Sequence, residues 1–285
     1  MTTQTYQTES MRIVPIQGVI NFRDLGGYQN TSGQTVRWKK AYRSAQLDRL
    51  TEDGIAQLQA LNIRTVVDLR FSEESNKYPT MRAGVPDAQM LSWHNEQLAN
   101  NDIATQNKAE VVIGGWRDSL DSNDPGLVRE AMRINYPQKL YSHAAIYRRM
   151  LHSLIDDQTP IVFHCAAGKD RTGVAAALIL GLLEVDYDTI VEDYLVTQSQ
   201  MGALVDSWLA GGATDSAHYA DFQKKLLELP KELVAPVFEA DPAYIQTLLE
   251  YVDSTYQGFD NYALQVLGLS QSQLQQLKQQ MLVAA

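Results

Sequence analysis

A single cysteine, Cys165, precedes an arginine, Arg171, by five intervening residues within the stretch HCAAGKDRTG at 164–173. A thiolate is a strong nucleophile, and a guanidinium presents a planar fork that grips two oxygens of one tetrahedral anion. If Ala166, Ala167, Gly168, Lys169 and Asp170 curl with their N–H groups inward, they surround a phosphate-sized anion. Arg171 then reaches back over that anion, and Cys165 lies beneath its central atom. The inward amides, the dipole of a following helix and Arg171 would together stabilise the thiolate. Gly168 permits the tight turn, the Thr172 hydroxyl can donate to the sulfur, and His164 is placed to orient the loop through a hydrogen bond. The stretch is not a magnesium-nucleotide loop. Phe163 stands where G-x-x-x-x-G-K-[ST] needs its first glycine, and Asp170 stands where it needs Ser or Thr.

Such a loop has to be mounted between the carboxyl end of a strand and the amino end of a helix. Pro160 to His164 reads as that strand, and Arg171 to Leu183, apolar on every side, as a helix buried against a sheet. Ile63 to Leu69 reads as a second buried strand and Ala88 to Trp93 as a weaker one. Further helices are expected after Thr51, over Tyr147 to Leu154, from Asp188, from the Asp241-Pro242 pair and over Gln271 to Gln280. Residues 94 to 136 read as polar and irregular, with Gly114-Gly115 and Asp124-Pro125 as breakers. Residues 201 to 240 combine Gly211-Gly212, Pro230 and Pro236 with amphipathic pieces at Phe222, Leu226 and Leu229. They read as a small helical insertion, either a cover for the site or a plain helical subdomain. The expected class is α/β, with a mainly parallel central sheet flanked by helices. The expected organisation is one domain over residues 11–285 behind a loose N-terminus at 1–10.

The balance of 24 Lys+Arg against 34 Asp+Glu gives a formal charge of −10, which argues against gripping nucleic acid or anionic lipid through bulk charge. A hydrophobic content of 45% with 20% charged residues is that of a globular chain, not a disordered one. One cysteine excludes an intramolecular disulfide, and no C-x-x-C or H-E-x-x-H arrangement is present for a metal. The four other histidines, at 94, 143, 152 and 218, show no ligand spacing. The first ten residues lack a basic and apolar leader pattern, and the longest apolar run, Val174 to Leu183, is too short for the ~18 residues of a membrane span. A cytoplasmic protein without stable membrane insertion, metal or cofactor is the expectation. Peroxide would oxidise Cys165 with no second cysteine to resolve it.

HCAAGKDRTG resembles the H-C-x-x-G-x-x-R-[ST]-G signature of cysteine-dependent phosphatases. NFRDLGGY at 21–28, YRSAQL at 42–47 and VVDLR at 66–70, in this order, are similar to blocks of the bacterial atypical tyrosine/lipid phosphatases. The resemblance spans roughly residues 11 to 200. It implies a tyrosine-phosphatase-like fold and a two-step reaction, in which Cys165 attacks phosphorus and water then hydrolyses the phosphocysteine, releasing inorganic phosphate. The implied substrates are phosphotyrosine, phosphoserine or phosphothreonine proteins and phosphoinositides. A general acid must protonate the leaving oxygen, and the chain has no W-P-D tripeptide to supply it. The resemblance puts the loop carboxyl, Asp170, first. Asp68 is the runner-up, either in the site or bonded to Arg23 or Arg70, and Glu96 and Asp102 come after it. Lys169 matches the second lysine of the phosphoinositide 3-phosphatase loop HCKAGKGRTG, and Ala166 replaces the first. Lys169 is therefore either an extra cation for multiply phosphorylated substrates or the partner of a nearby carboxylate. NFRDLGGY reads mainly as a turn, with Gly26-Gly27 and Asp24 bonding the local backbone, and Arg23 as a residue near the anion. The rival reading is a phosphate- or phosphoprotein-binding module without turnover.

Overall fold

The computed structural model describes residues 11–95, 115–200, 202, 226 and 228–284. Its elements run β1 (Arg23–Asp24), β2 (Thr35–Val36), β3 (Ala41–Ser44), α1 (Glu52–Gln59), β4 (Thr65–Asp68), α2 (Ser72–Lys77), β5 (Gln89–Ser92), α3 (Gly115–Ser119) and α4 (Pro125–Ser142). They continue with α5 (Ala144–Ile155), β6 (Ile161–His164), α6 (Asp170–Leu182), α7 (Tyr187–Val196), α8 (Lys231–Phe238), α9 (Pro242–Tyr256), α10 (Phe259–Gln265), α11 (Gln271–Met281) and β7 (Leu282–Val283).

Five strands form one sheet in the order β1-β3-β6-β4-β5, parallel except for β1. The α/β class with a mainly parallel sheet flanked by helices is the architecture observed. Strand β6, which leads into the cysteine, is central, with β3 and β4 hydrogen-bonded on either side. Alternation along the strands sends Tyr42, Val66 and Val162 to one face, with Ile16, Leu58 and Val85. Val67 and Phe163 go to the other face, with Leu140, Met150, Leu154, Val174, Leu178 and Leu248. Each such fully buried side chain stabilises the fold by about 1.5–3 kcal/mol relative to exposure. β2 pairs with β7, so the end of the chain is hydrogen-bonded to a segment near its beginning. Among the described residues no helix is long and apolar enough to cross a membrane.

Caps explain where the helices start. Thr51 accepts from the Gly54 amide at 3.1 Å to open α1, whose first turn carries Glu52 and Asp53. Asp241 accepts from the Ala243 amide at 2.9 Å with Pro242 at the first helical position of α9. Asp124-Pro125, expected to break the chain, does the same thing: Asp124 accepts from the Gly126 amide at 2.8 Å, and Pro125 opens the 18-residue α4. The irregular region expected over 94–136 therefore ends in a helix whose apolar positions Val128, Met132, Tyr136 and Leu140 recur every four residues and are buried. Strand β3 was not anticipated either, because AYRS carries a charge and a hydroxyl where a fully buried strand is usually aliphatic. Of the insertion expected over 201–240, α8 is described. It packs Leu233 and Val234 against Leu120, Val128 and Leu226. Gly211-Gly212, Phe222, the 1–10 terminus, Glu96 and Asp102 lie outside the described residues.

Candidate active site

Ser44, His164 and Asp68 stand side by side at the carboxyl ends of β3, β6 and β4. The loop leaves the sheet there and enters α6. The carbonyls of Ala166, Ala167 and Gly168 are held by other segments, and those on either side by local bonds. Cys165 O lies 3.3 Å from His164 Nδ1, Ala166 O accepts from the Gln46 amide at 3.2 Å, and Ala167 O accepts from Asn21 Nδ2 at 3.5 Å. Gly168 O accepts from Asn21 Nδ2 and Arg43 Nη2, both at 2.9 Å, and Lys169 O accepts from the Gly173 amide at 2.7 Å. A loop whose carbonyls are drawn outward has its amides available to the concave side, which is the arrangement an anion needs. Gly168 makes the turn with φ at +68°, and a Cβ there would meet the Ser44 carbonyl oxygen at 2.5 Å. Cys165 is buried. The Thr172 and Ser44 hydroxyls are buried and, among the described residues, have no hydrogen-bond partner.

Arg171 is held as a plane. Glu74 of α2, buried, accepts from Nη1 at 2.5 Å and from Nη2 at 2.8 Å, and the Phe71 ring lies 5.2 Å from the guanidinium carbon. Burial would raise the Glu74 carboxyl, but Arg171, the Phe71 amide and Arg70 more than offset it and keep the group below the usual glutamate range. Asp170 stands at the first position of α6 and accepts from the Tyr136 hydroxyl of α4 at 2.7 Å. Burial pushes its carboxyl up, and Lys169, Lys139, Tyr136 and Arg171 together hold it below the ordinary aspartate value.

Lys169 is 1% exposed and turned away from the hollow of the loop. Its ammonium donates to the carbonyls of Val237 at 2.5 Å and Glu239 at 2.9 Å, at the C-terminal end of α8, and lies 3.5 Å from Asp170 Oδ1. A helix C-terminus is the favoured seat for a cation. Lys139 of α4 brings a further positive charge within electrostatic reach of Asp170, Arg171 and Cys165. Burial lowers it to about 8, with Asp170 opposing the fall.

Asp68 is paired with Arg70, through Oδ1 at 2.8 Å and Oδ2 at 2.6 Å, and Oδ2 is 4.0 Å from His164 Nε2. His164 is fully buried and burial lowers it to about 4, so its ring is neutral near pH 7. Because the Cys165 carbonyl can only accept, Nδ1 carries the ring proton. Arg23 turns to the underside of the loop. Nε donates to Asp193 Oδ1 at 3.1 Å, Nη2 to the Asp193 carbonyl at 2.8 Å and Nη1 to Asn21 Oδ1. Asp24 binds the Gly26 amide at 2.8 Å and the Lys39 amide at 2.7 Å, forming the turn of NFRDLGGY.

The structure thus brings Cys165, Asp170 and Arg171 into one loop, puts His164 and Thr172 at its two ends, sets Arg23 beneath it and leaves Asp68 in an ion pair at the strand end. Sequence reasoning did not single out Asn21, Arg43, Glu74, Tyr136, Lys139 or Asp193 as neighbours of the loop. A cue was present in YRSAQL, where an arginine sits inside an apolar setting and must find a buried acid. No cue marked Glu74 or Tyr136, whose roles depend on which helix faces the loop. Among the described residues, no group of His, Cys, Asp and Glu could hold a metal ion. A cavity of about 720 Å³ opens at the opposite end of β4 and β5, beside Arg64, Gly84 and Gln158, and takes no part in this geometry.

Comparison with known proteins places nearly the whole chain in a sequence family. The model of a family described as the tyrosine phosphatase family matches residues 14–283. A protein of Cupriavidus necator named as a putative tyrosine-protein phosphatase is 26% identical over 256 residues, covering 90% of this chain and 84% of that protein. The triple specificity protein phosphatase PtpB of Mycobacterium tuberculosis is 29% identical over 199 residues, 65% of this chain and 69% of its own. A tyrosine-protein phosphatase of Nostoc commune is 26% identical over 240 residues, covering 83% of this chain and 72% of that protein.

Proposed function

The chain belongs to the tyrosine phosphatase family, and on that premise we propose that it is a cytoplasmic, metal-independent phosphoric monoester hydrolase acting on phosphotyrosine through a phosphocysteine at Cys165. The observation that carries the reading is the loop itself: the Ala166, Ala167 and Gly168 carbonyls taken up by Gln46, Asn21 and Arg43, around a cysteine, beside an arginine clamped by Glu74. Phosphoryl transfer needs little beyond positioning and charge stabilisation, which inward amides and a fixed guanidinium supply.

In the first step Cys165 Sγ attacks phosphorus, an S–P bond forms, the P–O bond to the leaving group breaks, and Asp170 gives its proton to the departing oxygen. In the second step water attacks phosphorus, Asp170 takes a proton from it, the S–P bond breaks, and phosphate leaves with the thiolate restored. A bound dianionic phosphate beside Asp170 favours its protonated form, which offsets the cations that hold it ionised in the free enzyme. PtpB is named for triple specificity, which supports including phosphoserine, phosphothreonine and phosphoinositides in the substrate range. Lys169, seated on Val237 and Glu239, is not the cation that would read a second phosphate in this arrangement.

The test is phosphate release, with chelator present, from a phosphotyrosine peptide, a phosphoserine peptide and a short-chain phosphoinositide by the parent enzyme and Cys165→Ser. Turnover on phosphotyrosine that disappears in the variant is expected. A parent protein that binds phosphate but releases none from any substrate overturns the enzyme reading in favour of a binding module.

A further inference from the structure

Asp170 has two carboxyl oxygens, and only one of them can carry the proton that a leaving group needs. The neighbours of Asp170 are not shared evenly between them. The Tyr136 hydroxyl donates to Oδ1 at 2.7 Å, and the Lys169 ammonium lies 3.5 Å from the same oxygen. An oxygen that accepts from a phenol and has an ammonium 3.5 Å away is the carbonyl-like one, so a proton added to the carboxyl goes to Oδ2.

The phenol that does this sorting is itself fixed. Tyr136 is fully buried on α4, its ring packs 5.5 Å from Tyr244 and edge-on at 6.0 Å to Tyr194, and its oxygen lies 2.6 Å from the Tyr194 hydroxyl. A phenol has one proton. With that proton spent on Asp170, the Tyr194 hydroxyl must be the donor to the Tyr136 oxygen, which gives a directed chain Tyr194 to Tyr136 to Asp170 Oδ1.

We propose that Tyr136, backed by Tyr194, is a positioning residue that reserves Asp170 Oδ2 as the proton-carrying oxygen of the general acid. The proposal rests on the reading of Asp170 as proton donor, and adds to it which oxygen acts and what selects it. The charged and titratable groups facing Asp170 are Lys169 and Arg171 of its own segment, Lys139 and Tyr136 of α4, Tyr194 of α7 and Tyr244 of α9. Of these, Tyr136 alone is shown hydrogen-bonded to the carboxylate.

The experiment compares the parent enzyme, Tyr136→Phe and Asp170→Asn on a series of aryl phosphates whose leaving phenols range from acidic to ordinary, with full pH profiles. A phenol that leaves readily as an anion needs no acid, so Tyr136→Phe is expected to lower kcat about tenfold for the ordinary phenol and less than about twofold for the acidic one. Loss of a hydrogen bond to the ionised carboxylate raises its pKa, so the basic limb of the profile moves to higher pH in Tyr136→Phe. If Asp170→Asn shows the leaving-group dependence and Tyr136→Phe slows all substrates equally or not at all, the positioning role is wrong and the acid reading stands. If Asp170→Asn shows no such dependence, both fall. Should Tyr136→Phe fail to fold, Tyr194→Phe keeps the Tyr136 hydroxyl and removes only its donor. A smaller shift in the same direction is then expected, and no shift overturns the chain.

Discussion

Arg23 and Arg43 sit directly opposite each other across β1 and β3, a cross-strand pair of like charges that destabilises a sheet unless something intervenes. Asp193 of α7 intervenes. Its Oδ1 accepts from Arg23 Nε and the Tyr28 hydroxyl, both at 3.1 Å, and its Oδ2 accepts from Arg43 Nη1 at 2.5 Å. Burial by itself would raise this carboxyl, but Arg23 and Arg43 bring it down to about 2, whereas burial with Arg23 nearby lowers Arg43 to about 10. Asp193→Asn keeps the shape and removes the charge, which leaves two buried guanidiniums facing each other. The move of Asp193 from 3.8 to about 2 is worth about 2 kcal/mol at neutral pH, and breaking a buried pair by removing one partner typically costs about 3–5 kcal/mol. The expected loss is therefore about 2–5 kcal/mol, or about 3–8 °C in Tm for a chain of this size. Urea and calorimetric unfolding at pH 7 measure it. A change below about 0.5 kcal/mol would refute the reasoning. A second variant separates stability from function. Replacing Arg23, Arg43 and Asp193 together by apolar residues of similar volume should recover much of the stability, since such triads are often replaceable. It should not recover affinity for inorganic phosphate, because Gly168 O would still lack its donor from Arg43.

Three other outcomes are expected. Gly168→Ala forces a side chain into a left-handed turn against the Ser44 carbonyl, and isothermal titration should show at least a tenfold loss of phosphate affinity while far-ultraviolet circular dichroism is unchanged. Glu74→Gln removes the charge that fixes Arg171, and kcat/KM should fall about 10–100-fold, a loss of about 1.4–2.7 kcal/mol of transition-state stabilisation. His164, held near 4 in the fold against 6.5 when unfolded, contributes stability that is present above pH 6.5 and lost as pH falls toward 4, about 3 kcal/mol in all. Urea midpoints from pH 7.5 to 4.5 should follow that decline, and His164→Asn should flatten it.

Cys165, Arg171 and Asp170 were readable as a group because they occupy one contiguous stretch of fixed spacing. Their surroundings were not, because each brace arrives from another part of the chain. Asn21 meets Gly168, Glu74 meets Arg171, and Tyr136 meets Asp170 only after the sheet order is set. Lys169 shows the limit well: the sequence left it as either a cation for the ligand or the partner of a carboxylate, and the fold sets it 3.5 Å from Asp170 Oδ1 and on the carbonyls of Val237 and Glu239. The two Asp-Pro pairs show a different failure. Asp241-Pro242 reads as a helix start because an apolar stripe follows at once. Asp124-Pro125 does not, because its stripe of Val128, Met132, Tyr136 and Leu140 is only one residue wide per turn and is flanked by Arg129, Glu130 and Arg133, although both pairs cap helices in the same way.

The contacts on the loop also set an order in time. Synthesis delivers Cys165 and Arg171 before Asp193, and Asp193 before Val237 and Glu239, which receive Lys169. β7, which closes on β2 beside the Arg37 amide, comes last. A growing chain therefore holds this loop for several seconds, at about 5–20 residues added per second, with Asn21, Arg43 and Glu74 already made but without Asp193 and the seat of Lys169. Through that interval Arg23 and Arg43 face each other without the Asp193 carboxylate, and the Lys169 ammonium lacks the carbonyls of Val237 and Glu239.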